Sequence, residues 1–207
     1  MEAVKRNQFC PYFYQMKATF IILFSFIFLP LSSFAQQAED DKELLSRAID
    51  YFNDSKYHEA ALIFRTLSAK YKLNSRFKAY HAVCEFHEWN YSKSAEIFDK
   101  IADELTVYAP NERNVYYYTA AESHFNLGNY PKAISYYEMA LSVCHNNEKA
   151  VNYYKQGICH LLLTDTISAK AALTEALTHY NTYPTNRKTD KARTAQIQKM
   201  LKGLKKE

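Results

Sequence analysis

Residues 114–140 read NVYYYTAAESHFNLGNYPKAISYYEMA, and their spacing decides the fold. Ala121 and Ala133 stand twelve residues apart, Tyr137 follows four later and Ala140 three after that. The same order recurs at Ala48, Ala60, Phe64 and Leu67, at Ala82, Ser94, Phe98 and Ile101, and at Gly157, Ala169, Leu173 and Ala176. A pattern that returns at this period marks stacked supersecondary units, none of which buries its apolar face alone.

Each unit reads as two helices. Ala60, Phe64, Leu67 and Tyr71 fall on one helical face, as do Ser94, Phe98, Ile101 and Leu105, then Ala133, Tyr137, Ala140 and Cys144, then Ala169, Leu173, Ala176 and Tyr180. That is the 3.6-residue period of a helix, with no strand-like alternation. The preceding helices are expected over 41–54, 76–89, 114–127 and 150–163. Short turn signals separate the partners: Asn53-Asp54-Ser55, Asn90, Gly128-Asn129 and Thr164-Asp165. Short turns make consecutive helices antiparallel neighbours. The twelve-residue interval then puts one small side chain on each helix at their crossing, where small residues let the axes approach to about 8 Å.

Composition agrees. The chain has 207 residues, 48% of them hydrophobic, and only three glycines. This is enough apolar surface for a folded core. It is too little glycine for a many-turned β fold or a glycine-rich phosphate loop. Tyrosine (18) and phenylalanine (13) are abundant, which suits both cores and contact surfaces.

The first 35 residues differ from the rest. Lys5, Arg6 and Lys17 precede an apolar run from Ala18 to Leu29, followed by Pro30 and Ser33-Phe34-Ala35. Charge, apolar core and small-residue site together read as a secretory signal cut after Ala35. An uncleaved anchor is the alternative, and Met16 is an alternative start. Residues 36–40 read as a polar linker. Beyond the cut stand Cys84, Cys144 and Cys159, an odd number, expected as unpaired thiols at helix contacts. Residues 185–207 carry eight lysines and arginines against Asp190 and Glu207, which leaves an acidic body with a basic tail. Within that tail, Ile197, Met200, Leu201 and Leu204 share one side of an expected helix over 189–204.

These residues resemble the tetratricopeptide repeat family. The third unit supplies Tyr117, Ala120, Ala121, Gly128, Tyr130, Ala133, Tyr137 and Ala140. The first supplies Leu44, Ala48, Tyr51, Tyr57, Ala60, Phe64 and Leu67; the second Ala82, Phe86, Tyr91, Ser94, Phe98 and Ile101; the fourth Tyr153, Gly157, Ala169, Leu173, Ala176 and Pro184. The resemblance implies an all-α, right-handed solenoid of four helix-turn-helix units, 41–74, 75–108, 114–147 and 150–183, closed by a capping helix within 185–207. Three features depart from the family pattern: Trp89 in place of the turn glycine, Thr166 in place of the turn tyrosine, and the extra residues 109–113.

No catalytic constellation is visible, and no cofactor or metal is expected. His81, Cys84 and His87 are spaced i, i+3, i+6, fan across roughly 120° of a helix and lack a fourth ligand. The adjacent pairs Cys144-His145 and Cys159-His160 point in different directions. The resemblance instead implies a concave groove lined or bordered by Tyr80, His87, Tyr118, Glu122, Tyr154, Ile158 and Leu162, with Phe86 and Phe125 either bordering it or packing between helices. Of Tyr116, Tyr117 and Tyr118, Tyr117 takes the core register. Family members that hold a C-terminal carboxylate use a lysine and an asparagine along this groove. Here the corresponding positions are Leu45, Ala79, Tyr118 and Tyr154, then Ile49, Val83, Glu122 and Ile158, so no basic clamp is expected.

The expected function is therefore a non-enzymatic protein-binding scaffold of the bacterial cell envelope, taking an apolar or aromatic partner segment, helical segments included. A sensory or accessory component of an envelope signalling or secretion system is the alternative. The protein is expected to be exported to the periplasm or envelope, or anchored there by an uncleaved N-terminal segment. Nucleic acid is not an expected partner. Membrane contact is expected only through such an N-terminal segment or weakly through the basic C-terminal helix.

Overall fold

The computed structural model describes residues 40–204. The expected signal segment and most of the expected linker lie outside the described residues. The described residues divide between two units, with the boundary between Arg47 and Ala48. Residues 40–53 are helical (α1), and within the first unit Arg47 bonds Glu43 one turn back at 3.3 Å.

The second unit is all helix among the described residues. After the end of α1 come α2 (Tyr57–Lys70), α3 (Ser75–His87), α4 (Tyr91–Ile101), a 3-10 helix (Ala102–Val107), α5 (Pro110–Asn126), α6 (Tyr130–Leu141), α7 (Asn146–Leu162), α8 (Thr166–Thr182) and α9 (Arg187–Gly203). Each helix from α2 to α9 packs on the next in chain order, and α3 also touches α5. This is an α-solenoid of helix pairs closed by a terminal helix. None of the described helices is long and apolar enough to cross a membrane.

The crossings are as small as the spacing predicts. Ala48, Ala60, Ala82, Ser94, Ala121, Ala133 and Ala169 are all fully buried. At Gly157 an added Cβ would lie 2.7 Å from Cγ and 2.8 Å from Cδ2 of buried Leu173, so α7 and α8 meet where only a glycine fits. Phe64, Phe98, Tyr137 and Leu173, each four residues past the small residue of a second helix, fill the space beside the crossing with no exposed surface.

The four turns inside the units share one geometry. In each, the residue after the helix cap takes a left-handed φ: Ser55 (60°), Trp89 (63°), Gly128 (74°) and Thr164 (61°). Its N–H bonds back to Phe52, Phe86, Phe125 or Leu161 at 3.0 Å. The next N–H, on Lys56, Asn90, Asn129 or Asp165, reaches the carbonyl of Tyr51, Glu85, His124 or His160 at 2.8–2.9 Å. This double closure is the Schellman helix stop, which favours glycine at the left-handed residue. Trp89 therefore keeps the turn and accepts its strain. A left-handed residue costs roughly 1–2 kcal/mol, against 0.5–1 kcal/mol for glycine's extra unfolded entropy. Thr164→Gly should thus stabilise the protein by about 0.5–1 kcal/mol, since a β-branched residue suffers most there. A lower melting temperature for the variant would contradict that reading.

Two helices begin earlier than periodicity predicts. α5 starts at Pro110 rather than Asn114, so 109–113 are its cap and first turn rather than a spacer. Proline suits that first position, because its missing N–H would be unpaired anyway. α7 starts at Asn146 rather than Ala150, and Glu148 accepts from the His145 N–H at 2.9 Å in the manner of a capping box. In unit two the expected helix through Leu105 tightens to 3-10 after Ile101, yet Leu105 stays fully buried.

Candidate functional site

The candidate groove residues lie on α3, α5 and α7, and the structure spreads them over three environments. Tyr80 is half-buried and stacks on Phe52 at 4.3 Å. His87 stacks on Tyr57 at 3.8 Å, nearly parallel, and burial lowers its pKa, so it is neutral at pH 7. Tyr80 thus stays partly exposed and His87 exposed, each with a ring stacked against it. Phe86 and Phe125 lean on Tyr91 (5.5 Å) and Tyr130 (5.8 Å), the first residues of α4 and α6.

Glu122 is the hub of the second environment. It is buried, yet its carboxylate accepts from the Tyr137 hydroxyl and, at 2.7 Å, from Lys155 Nζ. The Lys155 ammonium also lies 4.7 Å over the Phe125 ring. Tyr118 is half-buried, edge-on to Tyr137 at 6.0 Å. Burial first and the Glu122 charge second push the Tyr118 hydroxyl well above the usual tyrosine range, so it is a neutral donor. Of the three consecutive tyrosines, Tyr116 is buried as well as Tyr117, and its hydroxyl donates to Glu112 at 2.6 Å. α5 is covered on two sides, by α3 and α4 and by α6, so it buries more than one stripe.

The third environment belongs to the C-terminal helix. Tyr154 is only 6% exposed. Its ring packs with Leu173, Ala176 and Ile197, and the Arg193 guanidinium from α9 sits 4.2 Å above it. Ile158 borders the same cluster, while Leu162, at the end of α7, is exposed. Tyr154 is thus a contact of α9 and offers a partner little surface. Two basic residues approach these rings from outside the family's clamp positions. Lys155 pairs with Glu122 beside Tyr118, and Arg193 of α9 lies over the buried Tyr154 ring. Lys155, the residue after Tyr118's counterpart Tyr154, gave no readable signal, because it pairs with a residue 33 positions earlier.

The buried thiols add no nucleophile. Burial pushes Cys84 and Cys159 up to about 12, so both are protonated at neutral pH, and a thiol rather than a thiolate is unreactive. Cys144 is half-buried and also shifted up. His81 is fully engaged, with Nε2 at 2.8 Å from Glu85 and Nδ1 at 3.3 Å from Ser68.

Stacked helix pairs, shared turn geometry and partly exposed rings along α3 and α5 define a helical-repeat fold. Residues 115–147 match the family model of the tetratricopeptide repeat. Unit three is thus the stretch that carries the tetratricopeptide repeat pattern. Among solved structures, the MamA RS-1 ArsTM double mutant is similar over 81% of this chain and 97% of its own, at 12% identity and a TM-score of 0.54. MamA MSR-1 C2 is similar over 78% and 98%, at 10% identity and a TM-score of 0.54. PcrH from Pseudomonas aeruginosa covers 67% of this chain and 99% of its own, at 18% identity and a TM-score of 0.49. Likenesses at this identity concern the fold. A search of the curated proteins found no match.

Proposed function

We propose that the protein is a non-enzymatic scaffold of the bacterial cell envelope that holds an apolar or aromatic segment of a partner protein against α3 and α5. The observation that carries this reading is the set of partly open rings of Tyr80, His87 and Tyr118, backed by buried aromatics and the Glu122 hub. Aromatic side chains held rigidly by a second layer give contact area at little entropic cost. The apolar run of residues 18–29 behind basic residues supports export, with the mature chain starting at Gln36.

The test is affinity capture from native envelope extract with wild type and with Tyr118→Ala plus His87→Ala. The variant is expected to lose most of the captured partner while its far-ultraviolet helical signal stays. Equal capture by both proteins would reject the groove. N-terminal sequencing of protein purified from its native cell is expected to begin at Gln36; Met1 or Met16 there would reject cleavage.

A further inference from the structure

A pocket of about 270 Å3 lies between α2, the start of α3 and α4. Leu73, Ile97 and Ile101 give it an apolar lining, and Lys72, Lys78, Lys93 and Lys100 a basic one. The next junction shows why it is open. In the register that equates Ala82 with Ala121, Ile97 corresponds to Tyr136 and Lys78 to Tyr117. Both tyrosines are buried. Tyr136 stacks on His124 at 5.5 Å, and its hydroxyl donates to Asp99 at 2.9 Å, so it fills the space between α4 and α6. Between α2 and α4 a shorter isoleucine and a flexible lysine leave that space empty.

The charge around this pocket is not balanced. One carboxylate, Glu96, serves both Lys93 (3.1 Å) and Lys100 (2.6 Å). Lys72 and Lys78 make no ion pair among the described residues. The volume is below the roughly 300–1,000 Å3 of sites that enclose a whole small molecule, so it suits a single anchoring side chain. Lys93 and Lys100 are seven residues apart on one helix, about 10 Å along its axis. One carboxylate does not bridge that distance. Carboxylates about three residues apart on an extended chain do, at roughly 3.3 Å per residue.

We propose that this pocket takes one apolar anchor side chain of an acidic peptide segment from a partner protein, with carboxylates on either side of the anchor paired to the four lysines. The site is separate from the ring-lined groove of α3 and α5.

The probe is a fluorescein-labelled synthetic peptide with a central phenylalanine flanked by three glutamates on each side, titrated by anisotropy into the full chain. Saturable binding is expected, at least tenfold weaker when alanine replaces the phenylalanine. Ile97→Tyr, which copies the filled junction, should weaken binding at least tenfold, as should Lys72→Glu plus Lys78→Glu. Tyr118→Ala should leave it unchanged. If Ile97→Tyr loses helical signal, the lysine pair, on the pocket rim, decides alone. Equal binding of the alanine peptide would reduce the site to charge attraction and overturn the proposal. So would unchanged binding in the lysine variant. Saturable binding of phosphatidylglycerol vesicles that competes the peptide away would assign the site to lipid and overturn it as well.

Discussion

Arg65→Ala is expected to cost about 3 kcal/mol at pH 7, although the arginine side chain is 42% exposed and its partner Glu85 only 1%. Arg65 donates from Nε and Nη2 to both Glu85 oxygens, at 2.7 and 2.8 Å. His81 adds a contact at 2.8 Å and Asn90 one at 2.9 Å, so α2, α3 and the turn after α3 are tied to one carboxylate. Burial works against that charge, but the hydrogen bonds from Arg65 and His81 outweigh it and hold Glu85 below the usual glutamate range. Losing the arginine strands a buried anion, whereas losing the glutamate frees an arginine that water can reach. Glu85→Gln in the Arg65→Ala background should therefore recover about 1–2 kcal/mol, because a neutral amide is less costly to strand. Chemical denaturation of the single and double variants measures this. A double variant no more stable than Arg65→Ala would refute it.

The same groups set the acid response. Asp99 is also held low: burial opposes its charge, but bonds from Lys132, Tyr136 and His124 prevail. A depressed carboxylate contributes stability above its unfolded pKa near 4 and loses it as pH falls through the folded value. His81 is lowered chiefly by burial, so its contribution is present above about 6.5 and lost as pH falls below that. Both act in one direction. His58, raised by its bond to Glu88, acts in the opposite direction but is fully exposed and carries little weight. The melting temperature should fall in two steps, a small one between about pH 7 and 5 and a larger one below about pH 5; burial lowers His87 as well, so His81→Gln should shrink the first step and His81→Gln plus His87→Gln should remove it. A flat profile from pH 7 to 4 would contradict this assignment.

Gly157→Leu is expected to cost about 3 kcal/mol, the upper end for overpacking a core. Gly157→Ala sets two effects against each other. An alanine inside a helix gains about 1 kcal/mol over glycine. Here its Cβ would sit 2.7 Å from Leu173 Cγ, on a side chain with no exposed surface to retreat into. Overpacking of roughly 1–3 kcal/mol wins, so the net expectation is a loss of about 1 kcal/mol. Gly203→Ala is the control. A Cβ there meets nothing within 4 Å, so the substitution should be neutral or stabilising. Thermal melts of the three variants decide. A stabilised Gly157→Ala would show that α8 can shift away from α7.

The helix pairs, their crossings and their turn positions were legible because each rests on intervals of about twelve residues or fewer, within which helix period and turn sterics act directly. The small residues at Ala82, Ser94, Ala121 and Ala133 and the bulky ones at Phe98 and Tyr137 are buried as their spacing requires. The early start of α5 was written in Pro110, and that of α7 in Glu148, three residues after its cap; periodicity alone overlooks such signals. Trp89 looked like a departure from the glycine pattern, and the backbone shows the same left-handed turn under strain. What only the tertiary structure decided is which units look at each other. Lys155 meets Glu122, Arg65 meets Glu85, and Arg193 covers Tyr154 across junctions whose rotation is set by the summed packing of whole helices. The chain's own periodicity therefore determined the stack and its register. The partition of its tyrosines into covered and open rings followed from how each helix was turned against the next.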